Sequence, residues 1–483
     1  MFGSKVNPVF SWPLHLPSSL LEAGVTSEVL RLGANIVDSV HGLWRKVDEI
    51  ALVNSLRVIQ AFREERVSQV HLNPSTGYAY SDPGRDTLER VYARVFEAEA
   101  ACVSPHWVSG THALATALRA LLATGEELLS VTGDVYETLK PVIGVENGRG
   151  SPLEWNLDRR HDSRRKGLTL KDIGVGFRQV NLINALDRED GRELSPGTLE
   201  NILSTAVNPN TRVVLIQRSR GYSLRRSCSL QDIQVMADAV HRVNRDIVVL
   251  VDNCYGEFTE VGEPTAFGAD VVVGSLIKNP GGGLCPLGGY AVGRKDLINV
   301  IKEALYAPGI GTHVGANPLG YRAFFQGFFM APHVVAEALK GAIFASLLFE
   351  KLGYRVSPAA QERRSDIVQC IVLGKPDKLK TFASAVQSFS PVDSQAIPEP
   401  WDMPGYGTSV IMAAGTFVDG SSVELSCDAP FEPPYAVYLQ GGLSKEHVII
   451  ASLVAASRVG PASEPASCEP GADSPGNHCA IER

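Results

Sequence analysis

Between Ile247 and Gly293 the chain reads IVVLVDNCYGEF and then AFGADVVVGSLIKNPGGGLCPLGGYAVG. Two β-branched apolar runs of this kind, polar only at their ends, suit strands buried on both faces, and such strands belong to parallel sheets covered by helices. The first run ends in Asp252; the second, Ala269 to Ser275, is followed almost at once by Lys278. Open α/β sheets bind ligands at the carboxyl ends of their strands, so the pattern delivers an acid and an amine to one edge. A lysine able to form a Schiff base and an acid able to keep a ring nitrogen protonated are what a pyridine-aldehyde cofactor needs. The same residues also suit a helix cap and a surface lysine, and the stretch alone leaves both readings open.

The neighbouring sequence extends the pattern. AACVSP, ELLSVT (127–132) and VVLIQ (213–217) alternate with helical segments from Ala100 to Gly293, which predicts an α/β fold with a doubly wound, mostly parallel sheet. Ser109-Gly110-Thr111 opens a strong helix. Its free N–H groups and positive dipole favour a phosphate, although an ordinary N-cap also explains it. Residues 1–24 look irregular. From Thr26 to about Glu65 apolar positions recur at three and four, predicting a helical arm that packs on the body or on a partner subunit. Asp86 is expected to cap the helix carrying Leu88, Val91, Tyr92 and Val95. The polar segment 146–168, with five arginines, reads as a surface insertion. After a long apolar helical region, Gly320 to Gly353, DIVQCIVL, TSVIMAAGTF and SVELSCD read as strands of a smaller α+β domain. The expected divisions are an N-terminal arm (1–75), a large domain (76–320), a small C-terminal domain (321–457) and a disordered tail (458–483).

Composition narrows the function. A net charge of -8 argues against a general nucleic-acid binder or a polybasic membrane binder. Eight scattered cysteines without a CxxC pair fit reduced thiols in a cytosol-like compartment. No run of about 18 apolar residues predicts a membrane span, and His447 to Ser457 reads as a buried helix. Before Glu22 the only basic residue is Lys5, so a cytoplasmic location is expected, with an organellar address left open. The histidines lack HxxxH and HxH spacing, and no metal site is expected.

Nine blocks carry a family resemblance: GYAYSDPGRDTLE (77–89), SGTHAL (109–114), YETL (136–139), IQRSRGYS (216–223), VDNCYGEF (251–258), GSLIKNPGGGL (274–284), PEPWDMPGYG (398–407), VIMAAGTFVDGSSVELSCD (410–428) and PYAVYLQGGLSKEH (434–447). In this order, over roughly residues 70–455, they resemble the pyridoxal-phosphate enzymes of the cystathionine lyase-like class, and most closely its aluminium-resistance or methionine gamma-lyase branch. The resemblance implies an aspartate-aminotransferase-like, fold type I enzyme with pyridoxal 5'-phosphate as cofactor. It implies Lys278 as Schiff-base lysine and base at the substrate Cα, its amine kept neutral by nearby positive groups and desolvation. It assigns Asp252 to the pyridine nitrogen, Tyr136 to stacking on the ring, and Gly110, Thr111 and Ser275 to the phosphate. Tyr80 or Tyr78 would supply a phenol to the phosphate of a neighbouring subunit, where Ala79 or Asp82 stands in place of an arginine and Arg85 is a substitute. Ile277 replaces the hydroxyl residue common before the lysine. Arg364 is the candidate for the substrate carboxylate, with Arg218 and Arg220 as alternatives.

The implied reaction is β- or γ-elimination of a thiol from a sulfur amino acid, leaving a keto acid and ammonia, in a homodimer or homotetramer. The competing readings are another reaction on the same cofactor (aldol cleavage, β-replacement or decarboxylation) and a non-catalytic relative with a role in metal tolerance.

Overall fold

The computed structural model describes residues 16–76, 82–145, 169–187 and 197–462. The insertion at 146–168, Tyr78, Ala79, Tyr80 and the tail beyond 462 lie outside them.

Seven strands, β1 (Ala100–Ser104), β2 (Glu127–Ser130), β3 (Gly176–Gln179), β4 (Thr211–Gln217), β5 (Val248–Asp252), β6 (Val271–Ser275) and β7 (Gly289–Gly293), form one sheet in the order β1-β7-β6-β5-β4-β2-β3. Strands β3, β2, β4, β5 and β6 run parallel; β7 is antiparallel to both β6 and β1. Alternation along each strand feeds two cores. Val213, Leu215, Val248, Leu250, Val271 and Val273 pack under the helices Gly110–Leu121 and Lys295–Leu305. Val214, Ile216, Val249, Val251 and Val272 face the opposite layer, which includes the helix Leu230–Val243. Burial on both sides explains why these strands read as continuous apolar runs.

The predicted arm is a single helix, Ser27–Glu64, capped by Thr26, whose side chain accepts the Val29 amide at 3.3 Å. Its buried stripe, Val29, Gly33, Ile36, Val37, Val40, Trp44 and Val47, lies on the body of its own chain. Trp44 Nε1 donates to the Lys340 carbonyl at 3.0 Å, and Asn54 Nδ2 to the Glu260 carbonyl at 2.9 Å. The next helix, Pro83–Val95, starts one turn earlier than expected: Asp82 is the cap, accepting the Arg85 amide at 3.1 Å, while Asp86 pairs with the Arg85 guanidinium at 2.8 Å.

The long apolar region is the helix Arg322–Lys351; by length and composition it could cross a membrane, but 89% of its apolar window is buried inside the protein. It packs against Ser27–Glu64 and against Lys445–Val459. At its start, Gly327 meets Gly281 so closely that a Cβ on Gly327 would stand 2.2 Å from the Gly281 carbonyl oxygen. Beyond it, β8 (Arg355–Ser357), β9 (Val368–Val372), β10 (Val410–Ala413), β11 (Ser426–Pro430) and β12 (Ala436–Gln440) make an antiparallel sheet ordered β10-β11-β12-β9-β8. The six described cysteines are buried and unpaired.

Candidate active site

The parallel sheet brings polar groups to adjacent carboxyl ends. Gln217 stands beside Asp252, and Asp252 beside Val273, in the strand register. Two-residue alternation sends Gln217, Asp252 and Ser275 to the face covered by the helix Gly110–Leu121. That helix begins directly over them. A Cβ on Gly110 would meet Cys254 Sγ and Ser275 Cβ at 3.2 Å, so glycine permits the close approach. Ser109 caps the helix by accepting the His112 amide at 3.2 Å. Among the described residues the amides of Gly110 and Thr111 have no acceptor, and the Thr111 hydroxyl lies 2.6 Å from that of Thr138. Ser275 is fully buried, and its Oγ accepts the Ile277 amide at 3.3 Å.

Lys278 follows in the turn after β6. Its Nζ is 3.8 Å from the ring centroid of Tyr255 and 5.9 Å from that of Tyr136. Tyr255 reaches this position through a φ of +73°, a conformation that bulky residues seldom adopt and that persists where the surroundings enforce it. Its hydroxyl accepts from Ser422 Oγ at 3.1 Å. Asp252, 7% exposed, takes its hydrogen bonds from Cys254, whose amide lies at 3.2 Å. Burial pushes its carboxyl above the usual range and the charge of Lys278 pulls it back. For Lys278, burial opposes the ammonium, but Cys254, Tyr255 and Asp252 together outweigh it and hold the amine protonated. Burial raises the Cys254 thiol and the Tyr255 phenol as well, and the carboxyl groups that act on the amine are Asp252 and Asp428. The ionisable groups around this amine are acids and a phenol rather than the cations expected from sequence.

A second set of groups forms where the smaller sheet, through Asp428 on β11 and Gln440 on β12, meets the larger one. The Tyr136 amide donates to Gln217 Oε1 at 2.6 Å, and its hydroxyl lies 2.9 Å from that of Tyr406. The ring centroids of Tyr136, Tyr222 and Tyr406 are separated by 5.9 to 6.3 Å. Tyr222 donates to Asp428 Oδ2 at 2.8 Å, and Gln440 Nε2 to Oδ1 at 3.3 Å. Burial pushes the Asp428 carboxyl up to about 6. Sequence reasoning singled out Tyr136 and missed Tyr222, Tyr255, Tyr406 and Asp428. All four lie within the family-like blocks, but no local spacing marks them.

The arginines divide. Arg364 is buried, and its Nη2 donates to Gln369 Oε1 at 2.6 Å, while Nε and Nη1 have no partner among the described residues. Burial lowers its pKa to about 10. Arg218 is fully buried elsewhere, bound to Asn253 Oδ1 at 2.7 Å and Glu260 Oε1 at 3.1 Å, with Glu263 at 3.8 Å. It is thus committed to the protein. Arg220 donates to the Ser357 carbonyl and hydroxyl, both at 3.0 Å. Arg85 is taken up by Asp86 and the Thr312 carbonyl. Among the described residues no group of three or more His, Cys, Asp and Glu side chains could hold a metal ion.

Comparisons place this geometry among known proteins. An uncharacterised protein of Bacillus subtilis, YnbB, is 42% identical over 422 residues, covering 87% of this chain and 94% of the relative. A crystal structure of a carbon-sulfur lyase involved in aluminum resistance from Clostridium novyi is 42% identical with a TM-score of 0.81, covering 92% of this chain and all of that one. Yeast cystathionine gamma-lyase shares the fold alone, at 17% identity and a TM-score of 0.54 over 83% of this chain and 98% of its own. The family described as methionine gamma-lyase matches residues 29–460. The chain therefore belongs to the methionine gamma-lyase family.

Proposed function

We propose that the protein is a pyridoxal-phosphate-dependent carbon–sulfur lyase that acts on a sulfur amino acid. The observation that carries the reading is the meeting of Lys278, Asp252 and the open amides of Gly110 and Thr111 at adjacent strand ends. The residues suit the cofactor. Among the described residues Asp252 is a buried carboxylate bonded through Cys254 alone, so it has capacity for a charged N–H donor. The helix N-terminus offers unpaired amides for a phosphate, and the ring centroid of Tyr136 is 5.9 Å from the Lys278 amine.

A bound pyridoxal phosphate supplies an electron sink conjugated to the substrate Cα. The Gly110 and Thr111 amides and the Ser275 hydroxyl would hold its phosphate. Tyr136 would stack on its ring, and Asp252 would keep the proton on its nitrogen. Lys278 would anchor the cofactor and is the base placed to take the Cα proton and return it. Arg364, whose Nε and Nη1 are unpaired among the described residues, is the cation we assign to the substrate carboxylate. Loss of a β- or γ-thiol leaves an enamine that water converts to keto acid and ammonia. Leu52, Leu56 and Ile59 are exposed on the arm helix, a face suited to a second copy of the chain in a homodimer.

The test is the visible absorption of the cofactor-saturated protein beside that of Lys278→Ala, followed by keto-acid assays with cystathionine, methionine, cysteine and threonine. A lysine-dependent band with release from a sulfur substrate is the expected result. Absence of the band in the wild type overturns the enzyme reading. Turnover of threonine without any sulfur substrate replaces elimination by aldol cleavage.

A further inference from the structure

Asp428 is the anomaly of the pocket. It lies on β11, 8% exposed, and both of its hydrogen-bond donors, Tyr222 and Gln440, are neutral. Among the described residues it forms no salt bridge. A buried carboxylate with no ion pair in contact is expensive to maintain; the charge of Lys278 reaches it only through space. Its position is also informative. Lys278, where the substrate Cα reacts, is 5.9 Å from the Tyr136 ring, and Tyr136 is 6.1 Å from Tyr222, which holds Asp428. Asp428 is thus linked to the reacting centre through Tyr222 and Tyr136, and lies close enough for the charge of Lys278 to act on it. Three tyrosine rings about 6 Å apart border this space. Phenol faces beside a carboxylate attract an organic cation and give an anion nothing to bind.

We propose that Asp428, walled by Tyr136, Tyr222 and Tyr406, receives an ammonium group at the far end of the substrate side chain. The preferred substrates are then sulfur amino acids whose thioether arm ends in an amine; in this form the inference rests on the lyase reading above. For S-(2-aminoethyl)-L-cysteine the Cβ–S bond breaks, sulfur leaves with the electron pair and gains a proton, and addition of one water yields cysteamine, pyruvate and ammonia.

The test compares this amino acid with S-propyl-L-cysteine, in which a methyl replaces the ammonium. With the cofactor-loaded enzyme, kcat/KM for the aminoethyl compound should exceed that for the propyl compound by about tenfold or more. The ratio should collapse toward one in Asp428→Asn, and fall in Tyr222→Phe, which keeps the ring. A wild-type ratio near one overturns the proposal without any variant. A high ratio that survives Asp428→Asn overturns the assignment to Asp428, as does an equal loss on both compounds, which would mean that Asp428 serves Lys278 instead. Calorimetric binding of both amino acids keeps the two readings apart. If neither is cleaved, the lyase reading fails; a tenfold binding preference for the amine then upholds the cation site, and equal affinity removes it.

Discussion

Replacing Arg218 with methionine separates a structural role from a substrate-binding one. Arg218 is fully buried, and Glu263, also fully buried, has it as its nearest cation at 3.8 Å. Glu260 retains a second partner, Arg363. Methionine keeps the apolar stem but leaves Glu263 with neutral donors, the Phe258 amide at 2.9 Å and Asn253 Nδ2 at 3.0 Å. Burial already raises the Glu263 carboxyl, so the variant relieves the charge by taking up a proton. From an ordinary value of 4.5, holding that proton at pH 7 costs at most about 3.4 kcal/mol, at 1.36 kcal/mol per pH unit. The lost bonds to Asn253 and Thr259 add about 1 kcal/mol each. The expected deficit is roughly 3–5 kcal/mol, the range for breaking a buried ion pair. Its pH dependence has a definite sign. The folded variant binds more protons than the unfolded chain, so stability is recovered as pH falls from 7 toward 4.5. At pH 5 the protonation part shrinks to about 0.7 kcal/mol. Urea unfolding followed by tryptophan fluorescence at both pH values measures this. A loss below about 1 kcal/mol, a loss equal at both pH values, or normal stability with a raised substrate KM would refute the reasoning.

Three further outcomes follow. Asp428→Asn should stabilise the ligand-free protein. A carboxyl raised from 3.8 to about 6 costs up to about 3 kcal/mol above pH 6 and nothing below pH 4, so the gain in unfolding midpoint should appear at pH 8 and vanish near pH 4. Asp252→Asn should lower keto-acid release roughly 10- to 100-fold, the worth of one hydrogen bond to a charged group, while the lysine-dependent visible band persists. Gly327→Ala drives a Cβ toward the Gly281 carbonyl and should cost about 1–3 kcal/mol of stability, together with cofactor affinity, read by titrating the visible band.

What could be read from sequence was what neighbouring strands impose. Asp252 and Lys278 were legible because two apolar runs end beside each other, and burial of both sheet faces forces that pattern. The helix Ser27–Glu64 was legible from its apolar period. Strand β3, GFRQ, was not, because an edge strand with exposed and half-buried residues carries no apolar run. The Asp82 cap was misassigned to Asp86 although Pro83 marks the first turn, where proline costs least. Tyr222, Tyr406 and Asp428 come from three separate segments, and only the docking of the smaller sheet brings them together. The left-handed backbone at Tyr255 has no sequence signal, since the residue type that favours it is glycine.

The contact between Gly281 and Gly327 has a mechanical consequence. The helix Arg322–Lys351 starts against the turn that follows Lys278 and ends four residues before β8; through β9 and β12, that sheet carries β11 and Asp428. With backbone on backbone at Gly327 there is no rotamer to absorb a displacement. A shift of the start of this helix therefore presses directly on the main chain of the turn that follows Lys278. The distance from amine to carboxylate behaves like the opening of a caliper fixed to one bar, and it measures the length of a substrate arm as well as its charge.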